Sequence, residues 1–223
     1  MHRKHHHRPV AVAVVLLLAV LLALPTAGLA QLSGLPSLPP LPLPSPTGNA
    51  STVTGQASAV QLVLFGLLGT ATSTGLASTG ISGINSESDV AQLTGSIPSM
   101  LGSETLSAAT YSYSNEVDST ASLANLGLSV AGISISADSI VAEASQVLGA
   151  AGSGSSYISN LAINGVPVSV SGAPNQTIAI PGGQIVLNEQ TISSAGSTVV
   201  NAVHITLNGI ADVVIASATA GIS

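Results

Sequence analysis

Val203-His-Ile-Thr-Leu-Asn-Gly-Ile210 alternates apolar and polar residues and then places a glycine before its last apolar residue. Two other stretches share this layout: Val60-Gln-Leu-Val-Leu-Phe-Gly-Leu67 and Leu126-Gly-Leu-Ser-Val-Ala-Gly-Ile133. A period of two places alternate side chains on one face of a β-strand. The glycine marks a bulge, a bend or a tight turn. We therefore predict a weak internal repeat of strand–bend–strand units.

Between the stretch at residues 126–133 and the stretch at residues 203–210 lie two hairpin signals. Asn164-Gly165 separates two short β-like runs and suits a two-residue type I′ turn, and Pro181-Gly182-Gly183 separates the next two runs. Residues 149–156 are predicted to form a flexible Gly/Ser loop, and only residues 86–101 are open to a helical interpretation. The sequence therefore predicts a single all-β domain over residues 58–223, resembling an antiparallel β-sandwich.

The N-terminal part of the chain has the layout of a secretory signal peptide. Its only Lys and Arg residues, Arg3, Lys4 and Arg8, precede an unbroken apolar run at residues 10–24. Pro25 and a stretch of small residues ending at Ala30 follow, as at a cleavage site. We predict a signal peptide at 1–30 and a Pro-rich, polar linker at 31–57. Membrane attachment is expected only if the signal is retained.

The composition beyond residue 8 limits what the domain can bind. It contains nine acidic side chains and no Lys, Arg or Cys. A chain without fixed positive charge cannot neutralise phosphates, so we expect no nucleic-acid partner. No disulfide can staple the fold. With only four aromatic residues in the whole chain, its core must be aliphatic.

Glu189 and His204 are the strongest polar candidates for a ligand site. One hypothesis is that the two side chains meet across neighbouring strands and bind a metal or a substrate. The alternative is that His204 lies on the polar face of an ordinary strand, because Val203 and Ile205 alternate with it. Both interpretations place the histidine in a sheet.

Two further pairs of residues are weaker candidates. Glu116 and Asp118 offer carboxylate oxygens that could bind calcium, or they form a solvated acidic strand face. Tyr111 and Tyr113 share one face of an extended segment and could form a glycan-binding platform, or else belong to the core or its rim.

Catalytic chemistry has little support in the sequence. The chain has no Cys nucleophile, no Gly-x-Ser-x-Gly motif and, beyond residue 8, no Lys or Arg for stabilising an oxyanion. Asp138 and Glu143 could act as an acid–base pair, as any two carboxylates could. We predict no catalytic residues, no cofactor and no enzymatic activity, and keep a hydrolase as the weakest alternative.

The part of the chain from residue 111 to residue 222 resembles the choice-of-anchor P family of exported bacterial proteins. The matching segments are Ser136-Ala-Asp-Ser-Ile-Val-Ala-Glu-Ala-Ser145, Leu161-Ala-Ile-Asn-Gly-Val-Pro-Val168, Pro174-Asn-Gln-Thr-Ile178, Ile185-Val-Leu-Asn-Glu-Gln190, Val200-Asn-Ala-Val-His-Ile-Thr206 and Ala211-Asp-Val-Val-Ile-Ala-Ser217. This resemblance implies an all-β, surface-type domain and export from a bacterium. It implies no catalytic residues, and no anchoring motif of the family follows the last strand signal.

Together these observations predict a secreted or cell-surface bacterial module with a structural, non-enzymatic function. The alternative is an extracellular binding module for a glycan, ice or a host surface, suggested by Ser/Thr-rich stretches such as Thr70-Ala-Thr-Ser-Thr74. Self-association through sheet edges is a further hypothesis, because natural sheets often guard their edges with Lys and this domain has none.

Overall fold

The strands follow the alternation in the sequence and pair with their neighbours in two antiparallel sheets. The computed structural model describes residues 50, 52–66, 71–194 and 196–223, and thirteen strands lie within these ranges. The strands are β1 (Val53–Phe65), β2 (Ala71–Ser78), β3 (Ser86–Ile97), β4 (Leu101–Ser112), β5 (Glu116–Val130), β6 (Ile133–Val147), β7 (Ser153–Ser159), β8 (Ala162–Ile163), β9 (Val166–Pro167), β10 (Gln176–Ile180), β11 (Gly183–Ser193), β12 (Ser197–Leu207) and β13 (Ala211–Ile222). The predicted signal peptide and the linker up to residue 49 lie outside the described residues.

The two sheets pack face to face, which confirms the predicted all-β sandwich. Sheet A has the order β10-β11-β12-β13-β1-β2. Sheet B has the order β3-β4-β5-β6-β8-β9, and β7 also pairs with β6. The first and last of these strands, β1 and β13, pair with each other as inner strands of sheet A.

The predicted turns are hairpins in the structure. Asn164 and Gly165 both have positive φ, 50° and 75°, as a type I′ turn requires, and they join β8 to β9. Pro181 and Gly182 join β10 to β11. In the repeated motif, Gly209 lies in the turn between β12 and β13 and Gly132 in the turn between β5 and β6. Of the three alternatives for the repeated glycine, these two copies therefore use the tight turn.

Three local predictions need correction. The domain begins before residue 58, because β1 starts at Val53 and pairs there with Ile222. Residues 153–156 belong to β7 rather than to a loop, since pairing with β6 satisfies their backbone. The segment open to a helical interpretation forms β3 and the start of β4, where cross-strand pairing overrides any local helical preference.

The apolar side chains buried between the sheets are all aliphatic among the described residues, and polar side chains such as Thr198 and Gln146 are buried beside them. The largest of the apolar ones are Leu and Ile, including Leu106, Ile140 and Ile205, each 0% exposed. All four aromatic residues are instead exposed: Phe65, Tyr111, Tyr113 and Tyr157, at 36–62%. Tyr111 and Tyr113 therefore lie outside the core, which leaves the rim and the glycan-platform interpretations open.

Both sheets carry a transverse line at which the inward and outward alternation changes phase. We call this line in sheet A crease A; it passes through Ala77, Ala59, Ala216, Ala202 and Asn188 on five neighbouring strands. At each strand pair the register skips these residues, as from Ser58↔Ser217 to Val60↔Ile215. Alternate members, Ala77, Ala216 and Asn188, adopt positive φ, 44–52°, a conformation that is uncommon for residues other than Gly, Asn and Asp. A matching line in sheet B passes through Thr105, Asn125 and Asn160, also at positive φ.

Candidate functional site

On either side of crease A, odd- and even-numbered residues of the same strand point to the same outer face of sheet A. Asn201 and His204 are three residues apart on β12, so a regular strand would point them to opposite faces. Between them Ala202 and Val203 are both buried, which reverses the alternation and turns both polar side chains outward. Glu189 on β11 lies directly opposite Asn201 in the register. The crease therefore lets Glu189 reach both residues of β12.

His204 bridges two carboxylates from the strands on either side. Its Nδ1 lies 2.8 Å from Glu189 Oε2, and its Nε2 lies 3.2 Å from Asp212 Oδ2 on β13. Asn201 Nδ2 donates to the same Glu189 oxygen at 2.7 Å, and Ser217 Oγ donates to Asn201 Oδ1 at 2.7 Å. These five residues, which we call the His204 cluster, join β11, β12 and β13 through side chains across the outer face of sheet A.

The cluster favours a charged imidazolium. Burial of the ring lowers the pKa of His204, but the hydrogen bond to Asp212 and the negative charges of Glu189 and Asp212 outweigh that effect and raise the pKa above its usual 6.5. The protonated ring donates one N–H to each carboxylate. Because no Lys or Arg occurs beyond residue 8, this histidine is the one side chain of the domain that can carry positive charge.

The arrangement braces the sheet rather than leaving a ligand position open. A metal would need a free lone pair on the imidazole, yet both ring nitrogens already face carboxylate oxygens. No group of three or more His, Asp or Glu side chains converges as a metal site among the described residues. The predicted meeting of Glu189 and His204 across strands is confirmed, while what the pair binds outside the protein stays a hypothesis.

We expect the stability of the domain to fall as the pH rises from 6 to 9, with His204 contributing about 1 kcal/mol to the change. A histidine whose pKa is raised on folding stabilises the folded state fully below its unfolded pKa near 6.5. That contribution is lost as the pH rises through the higher pKa of the folded state. Urea unfolding at several pH values measures the slope.

The matched control is His204→Gln, which keeps a hydrogen-bond donor beside Glu189 and Asp212 but cannot titrate. Its free energy of unfolding should vary less with pH than that of the wild-type protein over the same range, because the α-amino group and any other histidines are common to both. Equal slopes in the two proteins would contradict the assigned role of His204.

Sequence reasoning identified only part of this cluster. It paired Glu189 with His204, but it missed Asp212, Asn201 and Ser217. The signal that could have revealed them is a pair of adjacent buried apolar residues in an alternating strand, Ala202-Val203 in β12 and Ile215-Ala216 in β13. Each doublet marks the phase change that brings distant polar positions onto one face.

The outer face of sheet B gathers aromatic and acidic side chains. Tyr111 on β4 lies opposite Asp118 on β5, and Tyr157 on β7 lies opposite Val141 on β6. A shallow cavity of about 350 Å³ lies on the same sheet, and its lining includes Asp118, the partner of Tyr111, and Ser155, two residues before Tyr157. Neither tyrosine lines it. Tyr113 follows the end of β4 and is 53% exposed. We call this surface, formed by Tyr111, Asp118, Glu143 and Tyr157, the tyrosine face.

The remaining carboxylate candidates do not form pairs with a shared centre. Glu116 and Asp118 point the same way from β5, about 7 Å apart along the strand, opposite Val147 and Ser145 of β6. Asp138 accepts a hydrogen bond from Asn160 and Glu143 one from Ser155. Five residues of strand, about 17 Å, separate Asp138 from Glu143. That distance exceeds the separation of paired glycosidase carboxylates, roughly 5–9.5 Å.

Comparisons of the chain with known protein families, with curated proteins and with solved structures found no match. Among the described residues no helix has the length and apolar character needed to cross a membrane.

Proposed function

We propose that the chain is an exported bacterial protein whose β-sandwich serves a structural, non-enzymatic role outside the cell or on its surface. The observation that carries this proposal is the use of the best polar groups as cross-strand braces. His204 contacts both Glu189 and Asp212, and Asn201 and Ser217 complete the same network.

The sequence supports the location in this proposal. The basic residues, the apolar run and the small residues before Gln31 have the order that export machinery recognises. The resemblance to the choice-of-anchor P family points the same way. A rigid sandwich without disulfides also suits this role, because its stability depends on aliphatic burial that persists after export.

The tyrosine face favours a second candidate function, binding of a cell-wall or surface glycan. Tyr111 and Tyr157 are 36% and 62% exposed, and they neighbour the cavity-lining residues Asp118 and Ser155 in the sheet. Aromatic rings stack on the apolar faces of sugars, and the carboxylates of Asp118 and Glu143 can accept hydrogen bonds from sugar hydroxyls. Most residues that line the cavity are Ser, Thr, Asp or Glu, whose side chains can exchange hydrogen bonds with sugar hydroxyls.

One preparation tests both candidates. N-terminal sequencing of the protein recovered outside an expressing bacterium is expected to begin at Gln31, and recovery of the intact N-terminus from the cytoplasm alone would contradict export.

A pull-down on purified cell-wall polysaccharides then separates the two functions. The structural role predicts no retention. Glycan binding predicts retention that Tyr111→Ala and Tyr157→Ala each reduce, while Phe65→Ala, a change at an exposed ring outside the tyrosine face, leaves it unchanged.

A further inference from the structure

The edges of the sandwich are protected unequally. The edge strand β10 has only five residues and lies between Pro174 and Pro181, while β9 has two residues and contains Pro167. Gln190 Nε2 donates to the carbonyl of Gly154 at 3.0 Å and so caps a backbone group of β7. Short strands, prolines and side-chain caps are the devices that prevent sheet edges from pairing with other chains.

The opposite edge of sheet B has none of these devices. Strand β3 spans twelve residues and pairs within the described part of the chain with β4 alone. It contains no proline, no lysine and no residue at positive φ. The register against β4 passes from Gln92↔Leu106 to Thr94↔Glu104, so the line of phase change in sheet B crosses β3 at Leu93. Of the two skipped residues, Thr105 of β4 is the one at positive φ, 48°. A free, extended edge presents unpaired N–H and C=O groups to solvent.

The centre of this edge is uncharged and exposed. Residues 91–94 of β3 are all exposed, and Leu93 is 86% exposed, the largest value of any large apolar side chain in the described ranges. The two acids of the strand, Glu87 and Asp89, lie towards its beginning. An apolar side chain at the centre of an unguarded edge would lose its contact with water if a second strand paired there.

We propose that β3 pairs with β3 of a second copy of this chain, antiparallel about a two-fold axis at Leu93. This register places Leu93 opposite its own copy and pairs Asp89 with Ile97. The overlap extends over residues 89–97, and the two copies of Asp89 lie about 27 Å apart along the strands. That separation is more than three Debye lengths at physiological ionic strength, about 8 Å, so the acids do not oppose the pairing.

Charge also selects this register over its competitors. Parallel in-register pairing, or an antiparallel axis within residues 87–89, brings Glu87 or Asp89 of one copy opposite an acid of the other. Like charges directly opposite one another destabilise a sheet. The other edge strand on this side, β2, is shorter, and Ala77 at φ 44° interrupts its extended backbone. The observations therefore favour β3 as the pairing edge.

The test uses complementary charges at the proposed axis. In Leu93→Lys two like charges face each other across the dimer, and in Leu93→Glu the same holds with the opposite sign. We expect sedimentation velocity on the purified full-length chain to find concentration-dependent dimers for the wild type. Each variant should dimerise at least about tenfold more weakly. An equimolar mixture of the two variants should recover dimers, because the introduced lysine then faces the introduced glutamate.

Val166→Lys supplies the matched control. Val166 is 64% exposed on the proline-containing edge strand β9, so a lysine there adds the same charge to the protected side and should leave dimerisation unchanged. We expect the Leu93 variants to fold, because the replaced side chain is exposed, and thermal unfolding of each variant checks this. Hydrogen exchange of the wild type at low and high concentration should show added protection of the β3 amides at high concentration.

Three results would overturn the proposal. The first is a wild-type chain that stays monomeric at every concentration. The second is a mixture of the Leu93 variants that forms no more dimer than either variant alone. The third is added protection at β2, β10 or another segment without added protection at β3. This inference does not depend on export or on glycan binding, since both are tested with separate readouts.

Discussion

Replacing Ile140 by Ala is expected to lower the free energy of unfolding by about 2–5 kcal/mol. Ile140 is 0% exposed and lies on β6 between Leu123 of β5 and Ile158 of β7 in the register. The loss combines the transfer free energy of the removed atoms with the cost of the cavity that remains. The aliphatic core has no aromatic ring that could shift to fill the space. Urea unfolding measures the effect.

Ile81→Ala is the control for this change. Ile81 is 76% exposed, so the same truncation should alter the free energy of unfolding by no more than about 0.5 kcal/mol. Similar losses for the two variants would mean that Ile140 does not lie in a packed core, and the placement of β6 against sheet A would be wrong.

Replacing Gly183 by Ala is expected to destabilise the domain by about 3 kcal/mol, the upper end of the usual cost of overpacking. Gly183 begins β11 directly after the Pro181-Gly182 turn and lies opposite Leu207. A Cβ at this position would overlap the backbone carbonyl of Thr206 on β12. Backbone atoms within a paired strand cannot move aside as a flexible side chain can. The hairpin or the register of β11 against β12 would have to shift.

Gly102→Ala tests whether the effect comes from this close approach. Gly102 also lies in a strand, β4, but no atom lies within 4 Å of the position a Cβ would take. Its replacement should change stability by about 0.5 kcal/mol or less. If Gly183→Ala is equally mild, the contact between β11 and β12 is looser than the structure indicates. The raised pKa of His204 should fall towards its usual value if β11 shifts, because Glu189 belongs to the same strand.

The His204 cluster exists because crease A brings polar side chains from three strands onto one outer face. Glu189, Asn201 and Ser217 lie in one row of paired residues across β11, β12 and β13. His204 lies beyond the crease, where the opposite parity faces outward. The cluster therefore spans the line at which the backbone pairing skips residues. Its side-chain hydrogen bonds tie the strands together where the backbone ladder is interrupted.

Local patterns in the sequence were sufficient for the all-β class and for the hairpins. Alternation at residues 203–207 predicts a strand, because successive side chains point to opposite faces. The Asn164-Gly165 pair predicts a turn through the backbone preferences of those two residues. Both signals depend only on residues that are near one another in the chain. The aliphatic nature of the core also follows from composition. The same patterns could not separate the loop at residues 149–152 from the strand that begins at Ser153, because small residues occur in both and only pairing with β6 distinguishes them.

Contacts between residues distant in the chain decided the remainder. The sequence by itself determined strand content, turn positions and the absence of Lys and Arg beyond residue 8. Only the tertiary structure decided that Asp212 joins Glu189 and His204, that the tyrosines lie outside the core, and that β3 is left as an unguarded edge. The physical reason is that creases and edges arise from how strands line up in a sheet. Within a single strand, side chains alternate between the two faces of the sheet. The neighbouring strands decide where this alternation reverses and which strand is left at the edge with a neighbour on one side only.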